Sequence, residues 1–274
     1  MRSIDHVPHA RDGRPLAAGG PRGEEAPAAG DDAAFGKYRA GGAYHWREIS
    51  RHWLHHHAFT AERYRRALAA LGPLPGRRVL DFGCGDGAFL SWLSKGVGAE
   101  GEAYGFDPNP DGLALARSML ARQGLRASLY ASVDELPDAY FDAVTCLEVI
   151  EHAHDAAAVV AHVARVLMPG GRAVISSPIR LTETPEDPHH VREWFPGEFV
   201  DLFSAGPLRL IHYEQFIPAA APEVYFWRPP VLLRLPVFRL LCNLLSIYGG
   251  LNALSWLRLR PRLFMTQQAV LGKP

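Results

Sequence analysis

The chain has 274 residues, of which 48% are hydrophobic, which is enough for one α/β domain with additions. Lys and Arg total 29, as do Asp and Glu, so no overall charge favours nucleic acid as a partner. The three widely spaced Cys offer neither a disulfide framework nor a zinc site. Because we find no apolar leader and no run of 18 uncharged apolar residues, we expect a cytoplasmic protein without a membrane span.

The first 75 residues divide into two segments of different composition. Residues 1–34 are mainly Pro, Gly, Ala and charged residues, which cannot bury enough apolar surface to offset the entropy of ordering, so we predict a disordered tail. In residues 35–75, aromatic residues and helix formers recur at helical spacing. This pattern predicts cap helices that precede the first strand and lie over its ligand turn.

The stretch RVLDFGCGDGAFL, residues 78–90, predicts a short strand, a glycine-rich turn and the start of a helix. Glycines alternate through the turn at Gly83, Gly85 and Gly87, which lets the backbone approach a ligand closely, and the helix directs free N–H groups towards it. The spacing would also pass a loose dinucleotide fingerprint. However, Asp81 and Asp86 would repel a pyrophosphate, so a cationic ligand without phosphate is favoured over NAD.

The run LDFGCGDG resembles the first motif of class I S-adenosylmethionine (SAM) methyltransferases, whose ligand carries an amino group and a sulfonium. The resemblance implies SAM as the cofactor and a Rossmann-like α/β fold. Its seven-stranded sheet would comprise a SAM-binding core at residues 76–217 and a final strand at 262–274. The class joins its last two strands in an antiparallel hairpin, whereas here residues 218–261 intervene, and we predict that they form a helical insertion. The later phrase RVLMPGGRAVISSP is similar to the fourth helix and fifth strand of the same class.

Alternating strands and helices predict a parallel sheet with helices on both faces, and ligands of such sheets bind at the carboxyl ends of the strands. Asp107 ends the second predicted strand, where an acid reaches the ribose hydroxyls of an adenosine ligand. Ser132 stands where many of these methyltransferases have an acid near adenine, so the backbone of Ser132 and Val133 is the candidate for that contact. The predicted cofactor-binding residues are Asp81, Gly83, Cys84, Gly85, Gly87, Asp107, Pro108, Asn109, Ser132, Val133 and Leu147.

An E-x-x-E-H set follows the fourth predicted strand, and a later His190 lies in HHVREWFPGEF. This combination resembles small-RNA terminal 2′-O-methyltransferases, which implies Glu148, Glu151, His152 and His190 as ligands of Mg²⁺ or Mn²⁺. The segment EVIEH is also similar to ubiquinone-biosynthesis O-methyltransferases and to many small-molecule and envelope-sugar methyltransferases, a number of which use no metal. Without a metal, His152 or His190 would act as the general base, with Glu148 beside them. In the remaining interpretation, Glu148 and His152 only shape the pocket.

The predicted insertion, residues 218–261, combines apolar residues with Arg. From Arg228 to Pro274 there are six Arg and one Lys but no Asp or Glu. This composition is typical of an interfacial amphipathic segment, a lipid-like substrate pocket, a homodimer surface or a lid packed on the sheet. We therefore keep peripheral contact with the inner face of a membrane, or a homodimer through residues 229–260, as open alternatives.

The sequence as a whole predicts a SAM-dependent enzyme that O-methylates a small, sugar-like or lipid-linked hydroxyl acceptor. Three alternatives stay open: a metal-dependent 3′-terminal RNA 2′-O-methyltransferase, a natural-product N- or C-methyltransferase, and a noncatalytic SAM-binding or membrane-associated scaffold. Neutral overall charge argues against a nucleic-acid partner, whereas the seven C-terminal cations keep it open.

Overall fold

The computed structural model describes residues 36–185, 187–204, 206–227, 236–256 and 263–274, so the predicted tail at 1–34 lies outside the described residues. Seven strands form one sheet in the order β3-β2-β1-β4-β5-β7-β6. Their bounds are β1 Arg78–Phe82, β2 Glu102–Phe106, β3 Ser128–Tyr130, β4 Phe141–Leu147, β5 Leu167–Pro178, β6 Arg209–Pro218 and β7 Phe264–Gly272. Strands β1 to β5 pair in parallel, and β7 lies antiparallel between β5 and β6.

Helices precede the sheet, connect its strands and also occur among the described residues between β6 and β7. Residues 36–41 are helical (α1), and the other helices are α2 Tyr44–Glu48, α3 Ala58–Leu71, α4 Ala88–Val97, α5 Pro110–Arg122, α6 Ala156–Val166, α7 Pro196–Asp201, α8 Ala221–Phe226 and α9 Val237–Gly249. Short 3₁₀ helices occupy Val133–Glu135, Ile150–His152 and Ala253–Trp256. This architecture confirms the predicted seven-stranded Rossmann-like sheet with cap helices before β1 and a helical insertion between β6 and β7.

The core lies on both faces of the sheet because successive residues of a strand point to opposite sides. In β1, Val79 packs in the layer with α3 and α4, and Leu80 packs in the layer with α6. Both side chains are fully buried, which explains why these two successive positions of β1 are both apolar rather than alternating. All three cysteines are buried and free, as the sequence predicts for a chain without a disulfide framework.

The insertion between β6 and β7 packs against the cap helices through a third apolar cluster. This cluster joins Phe59 of α3 and Phe216 of β6 to Tyr225 of α8 and Cys242 of α9. Among the described residues, no helix has the length and apolarity that crossing a bilayer requires.

The structure shortens one predicted helix. Sequence periodicity predicts a helix over residues 193–205, whereas α7 spans only Pro196–Asp201. Pro196 occupies the first helical turn and Glu198 accepts a hydrogen bond from the Phe195 N–H at 3.0 Å, so the helix begins after Trp194. The backbone before α7 is therefore extended, and Trp194 forms an isolated bridge with Ile179.

Candidate functional site

A cavity of about 610 Å³ lies at the carboxyl ends of the central strands, where a parallel α/β sheet is expected to bind its ligand. Its lining combines the glycine turn after β1, Asp107 after β2, the segment after β4, and His190. The cap contributes the opposite wall. Cap residues that line the cavity are Lys37, Tyr38, Tyr44, His45, Arg63 and Tyr64.

The glycine turn is closely covered on two sides. Gly83 has a φ of 82°, and a Cβ atom there would lie 2.3 Å from Cγ2 of Val149. Gly85 has a φ of 50°, and its Cβ would lie 2.0 Å from the Tyr38 hydroxyl. The backbone angle favours glycine at both positions and the close approach of Val149 adds to this at Gly83, so the turn presents bare backbone to the cavity.

Asp107 connects the glycine turn to the end of β2. Its Oδ2 accepts a hydrogen bond from the Gly85 N–H, and its Oδ1 accepts one from the Asn109 N–H, both at 2.8 Å. Burial raises the pKa of Asp107, while these N–H donors oppose the rise by stabilising the carboxylate. Asn109 in turn caps α5, because its Oδ1 accepts from the Asp111 N–H at 2.9 Å. The acid predicted to bind a ribose is therefore held rigidly at the cavity.

Asp81 is a second buried carboxyl group at the cavity. The Thr145 hydroxyl donates to its Oδ1 at 2.8 Å, and only 3% of the residue is exposed. Burial raises the pKa of Asp81 to about 7 because the charged form loses its hydration. A cationic ligand in the cavity would favour the ionised form, so the turn and its two carboxyl groups fit a ligand with an ammonium and a sulfonium.

The sequence predicts that Asp86 faces the ligand as an acid of the glycine turn. In the structure, Asp86 instead contacts the cap and does not line the cavity. Its Oδ2 accepts from the His45 N–H at 3.1 Å, and the Trp46 indole donates to its backbone carbonyl at 2.7 Å. The residue is 1% exposed. Asp86 therefore attaches α2 to the glycine turn, and these partners, about 40 residues away, gave no local signal in the sequence.

Most of the predicted cofactor residues line the cavity, namely Asp81, Gly83, Cys84, Gly85, Asp107, Pro108, Asn109, Val133 and Leu147. The cavity lining does not include the other two. Gly87 precedes α4 with a φ of 78°, and the Ser132 hydroxyl oxygen accepts from the Asp134 N–H at 3.3 Å. Both residues therefore shape the backbone beside the cavity.

Glu151, His152 and His190 each offer a ligand atom, and these atoms lie within 4.8 Å of one another. Glu151 is fully buried, and neither of its carboxyl oxygens has a hydrogen-bond partner. Burial raises the pKa of Glu151 well above its ordinary value. An unpaired buried carboxylate is costly, so the site requires either a proton or a cation beside Glu151.

The two imidazoles of this cluster have their tautomers set by neighbouring acceptors. His152 Nδ1 lies 2.9 Å from the carbonyl oxygen of His189, and His190 Nδ1 lies 2.6 Å from Oε1 of Glu193. Because these oxygens only accept, each neutral ring carries its proton on Nδ1 and keeps a lone pair on Nε2. Burial also lowers the pKa of His152, which favours its neutral form. One carboxyl group and two such imidazoles fit a divalent metal ion.

Glu148 has a different environment from the other three predicted metal ligands. Its φ is 54°, which is unusual for a residue other than glycine. Arg63 Nη1 donates to Oε2 and the Ser176 hydroxyl donates to Oε1, both at 2.8 Å. The structure therefore brings together three of the four predicted ligands and pairs the fourth with an arginine of α3.

Sequence reasoning missed the contribution of single cap residues to the site. Arg63 lies within α3, whose pattern predicted a helix over the turn without indicating which polar side chain enters the cavity. Lys37 Nζ lies 4.0 Å from Oδ2 of Asp187, so α1 also contacts the segment that carries His190. These contacts join residues that are distant in sequence, and no local motif marks them.

Comparison with known proteins finds that a family model described as a methyltransferase domain matches residues 54–214, more than half of the chain. A ubiquinone biosynthesis O-methyltransferase of Alkalilimnicola ehrlichii is 39% identical over 112 residues, covering 39% of this chain and 44% of the relative. The enzyme of the same name from Sodalis glossinidius is 28% identical over 191 residues, covering 62% of this chain and 75% of the relative. The chain spans about half the length of most of the curated relatives it matches.

The fold is also similar to that of solved structures. One chain in the complex between the Haloferax volcanii Trm112 methyltransferase activator and a methyltransferase superposes with a TM-score of 0.58 at 20% identity. The similarity covers 88% of this chain and 97% of that one. The activator in that complex is a partner of the archaeal protein, and the likeness to this chain concerns the fold.

Proposed function

Because this chain belongs to the family of methyltransferase domains, we propose that it catalyses SAM-dependent O-methylation of a small-molecule hydroxyl acceptor. The observation that carries the proposal is a shared cavity. The glycine turn with Asp107 and the cluster of Glu151, His152 and His190 line the same space of about 610 Å³. Donor-binding chemistry and proton-accepting chemistry are therefore adjacent, as a methyl transfer requires.

At the donor end, SAM supplies an electrophilic methyl group when bound. Asp107 would accept hydrogen bonds from the ribose hydroxyls, and its own contacts to the Gly85 and Asn109 N–H groups hold it in one orientation. Asp81 would balance the positive charge of the ligand. The buried carboxyl group of Asp81 at the glycine turn supports a cationic ligand and disfavours a dinucleotide, whose pyrophosphate it would repel, whereas Asp107 suits the ribose of either ligand.

At the acceptor end, a hydroxyl must lose its proton as it attacks the methyl carbon in line with the departing sulfur. His152 can accept that proton on Nε2, because its Nδ1–H is donated to the His189 carbonyl and burial keeps the ring neutral. His190 offers the same nitrogen, and Glu193 would stabilise the charge on its ring after protonation. Glu148 is paired with Arg63, so we assign it a positioning role between the cap and the sheet.

A divalent metal ion is the finer part of this proposal. Glu151, His152 and His190 would hold Mg²⁺ or Mn²⁺, and imidazole ligands favour Mn²⁺ of the two. Such an ion would compensate the unpaired carboxyl group of Glu151 and supply Lewis-acid chemistry that lowers the pKa of a bound hydroxyl.

Chelation separates the metal-dependent proposal from the metal-free one. We expect EDTA to abolish turnover and Mn²⁺ to restore it. Mn²⁺ binding, measured by electron paramagnetic resonance, should be lost in His190→Ala and kept in His162→Ala, which changes a cavity histidine outside the cluster. Full activity in EDTA would leave His152 or His190 as a general base without a metal.

The names of the two ubiquinone biosynthesis relatives support a hydroxyl acceptor. Because each match covers only part of the relative, this support concerns the shared domain. The function is tested by calorimetric titration with SAM and NAD, followed by incubation with isotopically labelled SAM and a cell extract. We expect heat of binding with SAM but not with NAD, and a labelled O-methyl product detected by mass spectrometry. Heat of binding with NAD but not with SAM would reject the proposal. A labelled N- or C-methyl product would indicate a natural-product N- or C-methyltransferase. SAM binding without turnover would indicate a noncatalytic scaffold.

A 3′-terminal RNA 2′-O-methyltransferase is the second candidate, because the cluster of Glu151, His152 and His190 could engage a terminal ribose diol through a metal. Short RNAs with a free or a blocked 3′-terminal diol distinguish it. Methylation of the free terminus alone would favour RNA over a small molecule, whereas no transfer to either RNA would exclude it.

A further inference from the structure

Helix α9, Val237–Gly249, has its apolar side turned away from the protein. The residues it buries are Cys242, Asn243 and Ser246. Its exposed side carries large apolar residues at helical spacing: Val237, Phe238, Leu241, Leu244, Leu245 and Tyr248. Leu241 is 53% exposed and Tyr248 72% exposed. A surface helix of a soluble protein ordinarily does the reverse, burying its apolar stripe against the core.

Hydrogen bonds fix this orientation of α9. The Asn243 amide donates to the carbonyl oxygens of Trp53 and His56, both at 2.8 Å, and the Tyr225 hydroxyl donates to Asn243 Oδ1 at 2.6 Å. One turn further on, the Ser246 hydroxyl lies 2.9 Å from Nε2 of His56. Rotating the helix to bury its leucines would break these bonds and leave buried polar groups without partners.

The apolar surface continues from α9 onto neighbouring segments. Trp227 is 51% exposed and its ring centroid lies 5.5 Å from that of Phe238. Trp53 is 42% exposed, and its carbonyl accepts from α9. The Arg51 guanidinium lies 5.6 Å from the centroid of the Tyr248 ring. We call this surface, formed by the exposed side of α9 with Trp53 and Trp227, the α9 face.

The α9 face is separate from the cavity, since none of the described residues of the insertion lines that cavity. Residues 224–274 contain no Asp or Glu, whereas residues 228–262 include six Arg. The last acid in the sequence is Glu223 of α8. An apolar surface in an acid-free, arginine-rich part of the chain is complementary to a negatively charged apolar boundary.

We propose that the α9 face docks on the surface of a bilayer containing anionic phospholipids. Thirteen residues make a helix about 20 Å long, which is too short to span the hydrocarbon core but suits a helix lying in the interface. Trp, Tyr and Arg are the side chains that prefer the headgroup level. Resting on the proposed function, this docking would keep the enzyme at the bilayer that holds lipid-linked hydroxyl acceptors.

Co-sedimentation of the full chain with vesicles tests the docking without requiring turnover. The vesicles contain phosphatidylcholine alone or phosphatidylcholine and phosphatidylglycerol at about 7:3. We expect binding to the anionic vesicles that falls with added salt and drops at least ~10-fold in Leu241→Ser/Leu245→Ser. Leu210→Ser/Ile211→Ser changes an equally exposed apolar pair on β6 and should bind as wild type. Tyr248→Ser should weaken binding, and SAM titration checks that each variant is folded.

Two results would overturn the proposal. In the first, wild type sediments no better with anionic vesicles than without vesicles, or the α9 variants bind as wild type. In the second, light scattering shows a dimer that Leu241→Ser/Leu245→Ser dissociates while vesicles bind nothing, which would assign the α9 face to a second copy of the chain. Vesicle binding with no SAM binding would reject the proposed function and leave the docking intact.

Discussion

SAM affinity should depend on pH through Asp81. In the free protein, burial raises the pKa of this carboxyl group from 3.8 to about 7. The hydrogen bond from the Thr145 hydroxyl opposes this rise, and the nearby carboxylate of Asp107 adds to it. A ligand with an ammonium and a sulfonium stabilises the ionised form, so the protonated group must release its proton when SAM binds.

The magnitude follows from that pKa. About ten-elevenths of Asp81 is ionised at pH 8 and about one-eleventh at pH 6. The dissociation constant for SAM should therefore be about tenfold higher at pH 6 than at pH 8. Calorimetry in two buffers of different ionisation enthalpy should detect release of nearly one proton at pH 6 and almost none at pH 8. Without SAM, the raised pKa of Asp81 makes the folded protein less stable at higher pH. The stability that Asp81 contributes is fully present below pH 3.8 and is lost as the pH rises through about 7.

Asp81→Asn provides the matched control for this titration. It removes the titrating group and keeps the size of the side chain, while Asp107 and His45 stay in place in both proteins. We expect weaker binding in the variant with little change between pH 6 and pH 8. A variant that kept the tenfold dependence would show that another group carries the proton, and the assignment of Asp81 would be wrong.

Three further predictions concern the site and the insertion. Asp107→Ala should weaken SAM binding about 10- to 150-fold, the equivalent of about 1.5–3 kcal/mol for a hydrogen bond to a charged group, whereas the surface variant Asp138→Ala should titrate as wild type. His152→Ala should lower kcat about 10²- to 10⁴-fold with unchanged SAM affinity, and the exposed neighbour variant His154→Ala should not. Asn243→Ala should reduce the free energy of unfolding by about 1–3 kcal/mol in urea, because it leaves buried carbonyls and a tyrosine hydroxyl unpaired; an unchanged midpoint would contradict the fixed orientation of α9.

Local patterns were sufficient for the sheet and the donor end of the cavity. The central strands contain short apolar runs, and the Gly83 to Gly87 turn marks the change from strand to helix within a few residues. Because parallel strands end at the same edge, the positions of Asp81 and Asp107 along the chain also predicted that they would meet. The structure brings both to the cavity.

The acceptor end could be predicted only in part. The resemblance of the E-x-x-E-H set and the later His190 to a known metal site implied four ligands, whereas Glu148 turns to Arg63 and Ser176, and Glu151 alone of the two acids is left unpaired. The partner of Glu148 lies 85 residues earlier in the chain. Such a contact depends on how α3 crosses the sheet, which no spacing within the motif encodes.

The sequence by itself determined the sheet, the glycine turn and its acids, because these depend on periodicity and on conformations that neighbouring residues impose. Only the tertiary structure decided that Asp86 holds the cap, that Glu148 pairs with Arg63, and that α9 exposes its leucines. The sequence left open whether the apolar side of this segment packs on the sheet as a lid or faces a membrane or a second copy of the chain. Hydrogen bonds from Asn243 to backbone nearly 190 residues away turn that side outward, since the cost of unpaired buried polar groups outweighs the gain from burying that side against this protein.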